Sequence, residues 1–244
     1  MPDRPSPRPR TMAGARAVAN DGGTAGDRPG SDAGPGAGLP TTARGRATRQ
    51  AIVAGARAVF ERDGFLDARI TDIAAEAGVA TGSFYTYFVD KPAVLAAVLG
   101  EVQEELLHPR LSQDGRHERF VDLLSASHRA YLAVYRDNAR LMALREQVAT
   151  IDPAFRDLRR RRGGPFIERN ARTIERLQAA GFADASLDPD LASRTISGMV
   201  SRAAYSAFVL GDEVGFDALV DTVTRLWMGA LGIPEDAPAS AAVE

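Results

Sequence analysis

Residues 69–91 read RITDIAAEAGVATGSFYTYFVDK, and the architecture of the whole chain is decided by this stretch. Ile73, Ala74 and Ala77 give a first short helix one apolar face at i, i+1 and i+4 spacing. Gly78 stands where that helix must stop, because glycine adopts the left-handed conformation without a Cβ penalty. Val79 follows as an apolar plug, and a second helix opens at Ala80 or Thr81 with Phe84 and Phe88 one turn apart on its buried side. Helix, short glycine turn, helix is the pattern whose second helix enters the DNA major groove. At about 100° per residue, Gly82, Ser83 and Thr86 rotate away from the phenylalanine stripe, and Tyr85 and Tyr87 flank it. A structural helix more often carries Glu, Lys or Arg outward. A small, uncharged face lets the backbone approach base edges and lets hydroxyls hydrogen-bond there.

The segment resembles the N-terminal domain of the TetR family of transcriptional regulators. The block Phe84-Tyr85-Thr86-Tyr87-Phe88 followed by Asp90-Lys91 is similar to the family's recognition-helix signature, and Asp72 to Val79 is similar to its second helix and turn. The motif-level resemblance covers Thr48 to Leu107; beyond that it rests on helical character and length. It implies an all-α fold: a three-helix DNA-binding domain joined to a larger helical domain for ligand binding and dimerisation. By the same resemblance Thr81, Gly82, Ser83 and Thr86 line the groove, and Tyr85 and Tyr87 place hydroxyls on phosphates. Lys91 would meet a phosphate at the start of helix four, and Thr71 a base or phosphate. Where family members carry Thr-Thr ahead of helix two, this chain has Ala68-Arg69, which gives Arg69 a backbone contact instead.

Working outward, helix one is expected from Thr48 to Arg62, with Ile52, Ala56, Val59 and Phe60 on one stripe and Gly64 ending it. Thr48 would cap it and also meet a phosphate. Residues 1–45 are rich in Pro, Gly, Ala and Arg without periodicity, so a disordered tail is expected. Within residues 1–46 seven arginines stand against four aspartates, and Arg44, Arg46 and Arg49 are the best placed for phosphates or the minor groove. The net charge of −2 makes the field weak, so affinity for double-stranded DNA rests on a few placed contacts. The DNA-binding domain is set at residues 46–92, the effector-binding and dimerisation domain at 93–233, and a frayed tail at 234–244.

Asp90 is a good N-cap for helix four, with Pro92 tolerated in its first turn. Beyond Pro109 only helical periodicity follows. Asp152-Pro153 opens a helix expected to break or kink at Gly163-Gly164-Pro165. Phe120, Leu124, Tyr131, Met142, Phe155, Phe166, Met199 and Tyr205 would enclose an apolar pocket or simply pack as core. His128, Gln147, Asn170 and Arg202 are polar positions on otherwise apolar helices, able to orient a ligand. The run Arg159 to Arg162 reads as a solvated face, with an anionic ligand as the other reading. The last two helices, Pro189–Leu210 and Phe216–Leu231, alternate small and apolar residues. The family implies that Ile196, Met199, Ala203, Ala207, Val220, Val223 and Trp227 pair them with a twin in a homodimer.

The three histidines, His108, His117 and His128, lack a metal spacing, cysteine is absent, and no nucleophile elbow or P-loop occurs, so no enzyme, metal or cofactor is expected. No apolar run suits a secretory signal or a membrane span, so a cytoplasmic protein without membrane contact is expected. The reading is a regulator, a repressor released from a near-palindromic operator by an unidentified small-molecule effector. The alternative is a helical small-molecule-binding or scaffold protein whose helix-turn-helix makes protein contacts.

Overall fold

The computed structural model describes residues 40–107 and 118–242, and no β-strand occurs among them. The helices are α1 (Ala43–Asp67), α2 (Ile70–Glu76), α3 (Thr81–Tyr87), α4 (Lys91–Leu107), α5 (Phe120–Asp137), α6 (Ala139–Ile151), α7 (Pro153–Ala179), α8 (Pro189–Tyr205) and α9 (Phe216–Ala230). The expectations for residues 1–39 and for His108 and His117 lie outside the described residues.

α1 starts earlier than expected. Thr42, not Thr48, is its N-cap, its hydroxyl oxygen accepting from the Gly45 amide at 3.1 Å. Residues 43–45 therefore belong to a helix and not to a tail. Thr48 instead turns its hydroxyl back onto the Arg44 carbonyl at 3.0 Å. Gly64 breaks the helix with φ 75°, and one further turn lets Phe65 fold back to stack on Phe60 at 5.9 Å. Ile52, Ala56, Val59 and Phe60 are all buried, as their spacing requires.

α1, α2 and α4 enclose the first core, with Ile73 and Phe84 wholly inside it. The closest approach is at Gly55, where a Cβ would stand 2.9 Å from the Ala77 nitrogen and 3.0 Å from the Ile73 carbonyl oxygen. Only a glycine lets α1 lie this near the end of α2. Asp90 accepts from the Ala93 amide at 2.7 Å and starts α4 as its side chain predicts. α4 is buried along most of its length, with Val94, Leu95, Val98 and Val102 fully covered between α1 on one side and α5, α6 and α7 on the other. A polar tie adds to this: Arg57 of α1 donates to the Asn138 side chain at 2.6 Å, at the junction of α5 and α6.

The remaining helices depart from expectation in two places. α7 runs unbroken through Gly163-Gly164-Pro165, because a single missing donor at Pro165 costs one hydrogen bond while both halves keep helical geometry. Residues 234–242 do not fray. Ala237, Ala239 and Ala242 are buried, the Phe120 amide donates to the Ala237 carbonyl at 2.8 Å, and the Ala239 amide to the Glu118 carbonyl at 2.9 Å. Arg176 holds the Ala242 carbonyl at 2.9 Å. Small side chains that carry no helical pattern still fit closely against α5.

The Gly55 contact yields a paired test. Gly55→Ala places a methyl against backbone that cannot move aside, and overpacking of this kind costs about 1–3 kcal/mol. Gly163→Ala, with nothing within 4 Å of the new methyl, gains about 0.5–1 kcal/mol of helix propensity. Thermal melts of the two variants should shift in opposite directions.

Candidate nucleic-acid interface

The chemistry of the reading head is set by what α3 buries and what it leaves out. Ala80 stands at its N-cap and gives no side-chain bond, and Gly78, at φ 65°, turns the chain from α2 into it. Phe84 and Phe88 go inward, 5.8 Å apart, and fix the rotation of the helix. That rotation puts Thr81, Gly82 and Thr86 on the surface, with Ser83 half-buried beside them. A Cβ at Gly82 would meet nothing within 4 Å. Tyr85 is 57% exposed, its ring edge-on to Phe84, and Tyr87 is half-buried on the other flank. The angular reading of the sequence holds for Gly82, Phe84, Thr86 and Phe88, while Ser83, expected outward, is half-buried.

Around this face stand exposed Arg44, Arg46, Arg69 and Thr71. Arg46 donates to the Thr41 carbonyl at 2.7 Å, and Arg49 stacks its guanidinium 5.0 Å over the Phe88 ring. Arg69 holds the N-cap position of α2 without capping it, so its guanidinium stays available to a phosphate. Thr48 is half-buried and its hydroxyl hydrogen is committed to Arg44, which leaves only its lone pairs.

Lys91 is held by the protein itself. Its ammonium donates to the carbonyls of Ala68 at 2.8 Å and Leu66 at 3.1 Å, and sits 4.7 Å over the Phe65 ring. It closes the carboxyl end of α1, where unpaired carbonyls attract a cation. Partial burial pulls its pKa below the usual lysine value, and Asp67 offsets part of that shift. Two of its three ammonium hydrogens thus clamp α1 to α4, and the third remains for the phosphate expected there.

A match to known proteins completes the site. Residues 52–98 match the sequence model of the family described as "Bacterial regulatory proteins, tetR family". Over this segment the chain is similar to the tetR family. It is 42% identical over 66 residues to the uncharacterized HTH-type transcriptional regulator TtgW of Pseudomonas putida, a match that spans 27% of this chain and 49% of TtgW. Over the same length it is 42% identical to the HTH-type transcriptional regulator SrpR of Pseudomonas putida, covering 31% of that protein. The chain thus spans about half or less of the curated relatives it matches. In fold it is similar to the fatty acid degradation regulator FadR from Bacillus halodurans, with a TM-score of 0.65 at 20% identity over 77% of this chain and 97% of FadR. It is also similar to Salmonella enterica GusR, with a TM-score of 0.61 at 23% identity over 78% and 98%.

Behind the reading head, the residues expected to surround an effector divide. One cleft lies between α4, α6 and α7, lined by Ala96, Leu99, Gln103, Leu106, Met142, Arg145, Phe155, Leu158, Arg159 and Arg162. The cleft is shallow, with a cavity volume of about 30 Å³. Of the expected set Met142 and Phe155 line it. Phe120 packs on Trp227 at 5.7 Å, and Leu124 is partly buried against the core. Tyr131 lies 5.9 Å from Tyr135, and Phe166 lies under Arg169 at 5.4 Å. Asn170 reaches Ser197 at 3.4 Å, Met199 is partly buried against the core, and Arg202 covers Tyr205 at 5.4 Å. Gln147 and Arg202 are exposed. The cleft's signal was present in the sequence: Phe155, Leu158, Arg159 and Arg162 share one helical stripe, so the arginine run divides between interior and solvent instead of forming one solvated face.

The dimer residues need the same correction. Val220, Val223 and Trp227 are buried inside this chain, where α9 packs on α5, and Ile196 is buried as well. Met199, Ala203 and Ala207 are partly covered by the same core. Ile196, Val220, Val223 and Trp227 are spent within the protomer, while Met199, Ala203 and Ala207 keep part of their surface outward. The outward apolar residues of the two helices are Leu191 and Leu226.

His128 also has a structural role. The Thr224 hydroxyl donates to the Val220 carbonyl at 2.7 Å and accepts from His128 Nδ1 at 2.9 Å, which requires the neutral ring protonated at Nδ1. Burial lowers the ring's pKa from 6.5 to about 4. The unfolded chain therefore binds a proton that the folded ring refuses, and stability present above pH 6.5 is lost as pH falls to about 4. The full loss is about 3 kcal/mol at 1.36 kcal/mol per unit. Urea unfolding at pH 7.5, 6.0 and 5.0 should give falling stability, with a shallower slope in His128→Gln.

Proposed function

We propose that this chain is a DNA-binding transcriptional regulator that acts as a homodimer on a near-palindromic operator, and that a small-molecule effector releases it as a repressor is released. The observation that carries the reading is the bare face of α3. A helix whose outer side carries only Thr81, Gly82, Ser83 and Thr86, and whose inner side is locked by Phe84 and Phe88, can lie close against base edges. Tyr85 and Tyr87 flank that face at the height of the backbone. Arg44, Arg46, Arg69 and Thr71 supply phosphate contacts on either side, which fix register without reading sequence. The relatives matched over this segment are named as HTH-type transcriptional regulators, which favours the same activity here.

One such domain reads too few base pairs, and a two-fold pair sets two heads about 34–36 Å apart on successive grooves. The outer faces of α8 and α9, with Leu191 and Leu226 exposed beside Gly198 and Gly229, support pairing through this side. The cleft beside α4 suits an effector, because a ligand that binds better to one placement of α4 shifts the spacing of the heads by its differential affinity.

Selection of duplexes by the purified protein from a random pool should enrich a sequence with two-fold related halves. On that duplex, Ser83→Ala and Tyr85→Phe should each weaken binding by about 1–3 kcal/mol with the helical circular dichroism unchanged. No enrichment over the starting pool would exclude the reading. Leu226→Glu should shift the sedimentation coefficient from dimer to monomer and lower duplex affinity with it.

A further inference from the structure

Two attachments join the reading head to the helices behind it. One is α4, which continues from the head and is buried along most of its length. The other is a polar network between α1 and the junction of α5 and α6. Arg57 and Glu61 lie one turn apart on α1. The Arg57 guanidinium donates Nε to Glu61 at 3.0 Å and Nη2 to the Asn138 side-chain oxygen at 2.6 Å. From the facing helix Arg140 donates to the Glu61 carbonyl at 2.8 Å. α1 also packs on α6.

Asn138 is built to hold a direction. It is the C-cap of α5 and the N-cap of α6 at once, so its backbone is fixed by both helices. Its side chain is buried, and the amide nitrogen donates to the Val134 carbonyl at 2.8 Å. A carbonyl only accepts and a guanidinium only donates, so the amide has one usable orientation, with its oxygen toward Arg57. Hydrogen bonds weaken steeply as they stretch and bend, and a charged donor makes them stronger. A head attached through α4 alone can still roll about that helix. A short bond that does not pass through α4, accepted by a buried amide, opposes the roll.

We propose that the network of Arg57, Glu61, Asn138 and Arg140 sets the angle of each reading head, and thereby the separation of half-sites that a two-headed dimer accepts, with Arg57 and Asn138 as its positioning residues. The proposal rests on the two-headed DNA reading above and names what selects the geometry of the operator. One base pair more or less between the halves changes their separation by about 3.4 Å and their relative rotation by about 35°. A head that cannot roll loses one of its two contacts on such a duplex, and with it the gain from binding twice. A head free to roll follows the displaced half-site.

The test uses the duplex that the unsubstituted full chain enriches, with one base pair inserted between the halves or removed. The unsubstituted protein should bind each altered duplex about tenfold more weakly or worse. Arg57→Met, which keeps the stem and loses the donors, and Asn138→Ala should bind the enriched duplex within about threefold of the unsubstituted protein. Both should lose less than about threefold on the altered ones. A merely structural role would weaken binding at every spacing alike. Arg62→Met is the control, because that arginine pairs with Asp63 and Glu76 inside the head, and it should keep the steep dependence. A second readout needs no DNA. The chain contains no cysteine, so spin labels on Ala75→Cys in α2 and Glu175→Cys in α7 can be measured cleanly, with excess unlabelled protein confining each pair to one chain. The distance distribution should be wider in Arg57→Met and Asn138→Ala than in the unsubstituted protein and Arg62→Met. A spacing profile in Arg57→Met as steep as in the unsubstituted protein overturns the proposal, and so does an unchanged distance width. If the unsubstituted protein enriches no two-fold duplex, the DNA reading fails, and the distance widths alone decide whether this network holds the head.

Discussion

α4 has almost no free side. Val94, Leu95, Val98 and Val102 are fully buried, and each such side chain contributes about 1.5–3 kcal/mol relative to exposure. One flank lies on α1, which carries the helix-turn-helix, and the other forms a wall of the cleft lined by three arginines. A helix packed on both sides at interior density cannot bend by small degrees; it keeps its place or moves as a unit. That constraint joins the helices around the cleft to α1 through α4.

The polar contacts around α4 follow the same logic. Lys91 clamps its start to the end of α1, and Arg162 with Gln103 ties its middle to α7. Arg57 and Asn138 join α1 to the α5–α6 junction independently of α4. The reading head is therefore held at several points, and the Arg162 tie is the one that opens onto a cavity. The charge balance fits a protein that does not depend on a strong field. With a net charge of −2, the recognition proposed above would rest on close fit of a small-residue helix, with the few arginines around it giving orientation.

The helix-turn-helix was legible because every signal in it is local: Gly78, the Phe84–Phe88 spacing and Asp90 act within a turn or two of themselves. The far half depends on contacts that spacing cannot reveal. Lys91 reads as a phosphate ligand by its place at a helix start, yet it meets carbonyls more than twenty residues back. Val220, Val223 and Trp227 form an apolar stripe whether the partner is a twin or α5, and periodicity does not distinguish the two. The Ala- and Pro-rich stretch after Pro234 has no pattern at all, and its order comes from backbone bonds to Glu118 and Phe120. Arg159 and Arg162 were separable from Arg160 and Arg161 by helical angle, but their cavity needed α4 and α6 in place.

The central claim is that the uncharged outer side of α3 lies against a duplex. Amide hydrogen exchange of the full chain, with and without a duplex it has enriched for itself, reads this directly. Exchange should slow from Thr81 to Tyr87 and at the start of α2, with α8 and α9 unchanged on adding DNA. Slowed exchange confined to other helices, with Thr81 to Tyr87 as in the free protein, would contradict it.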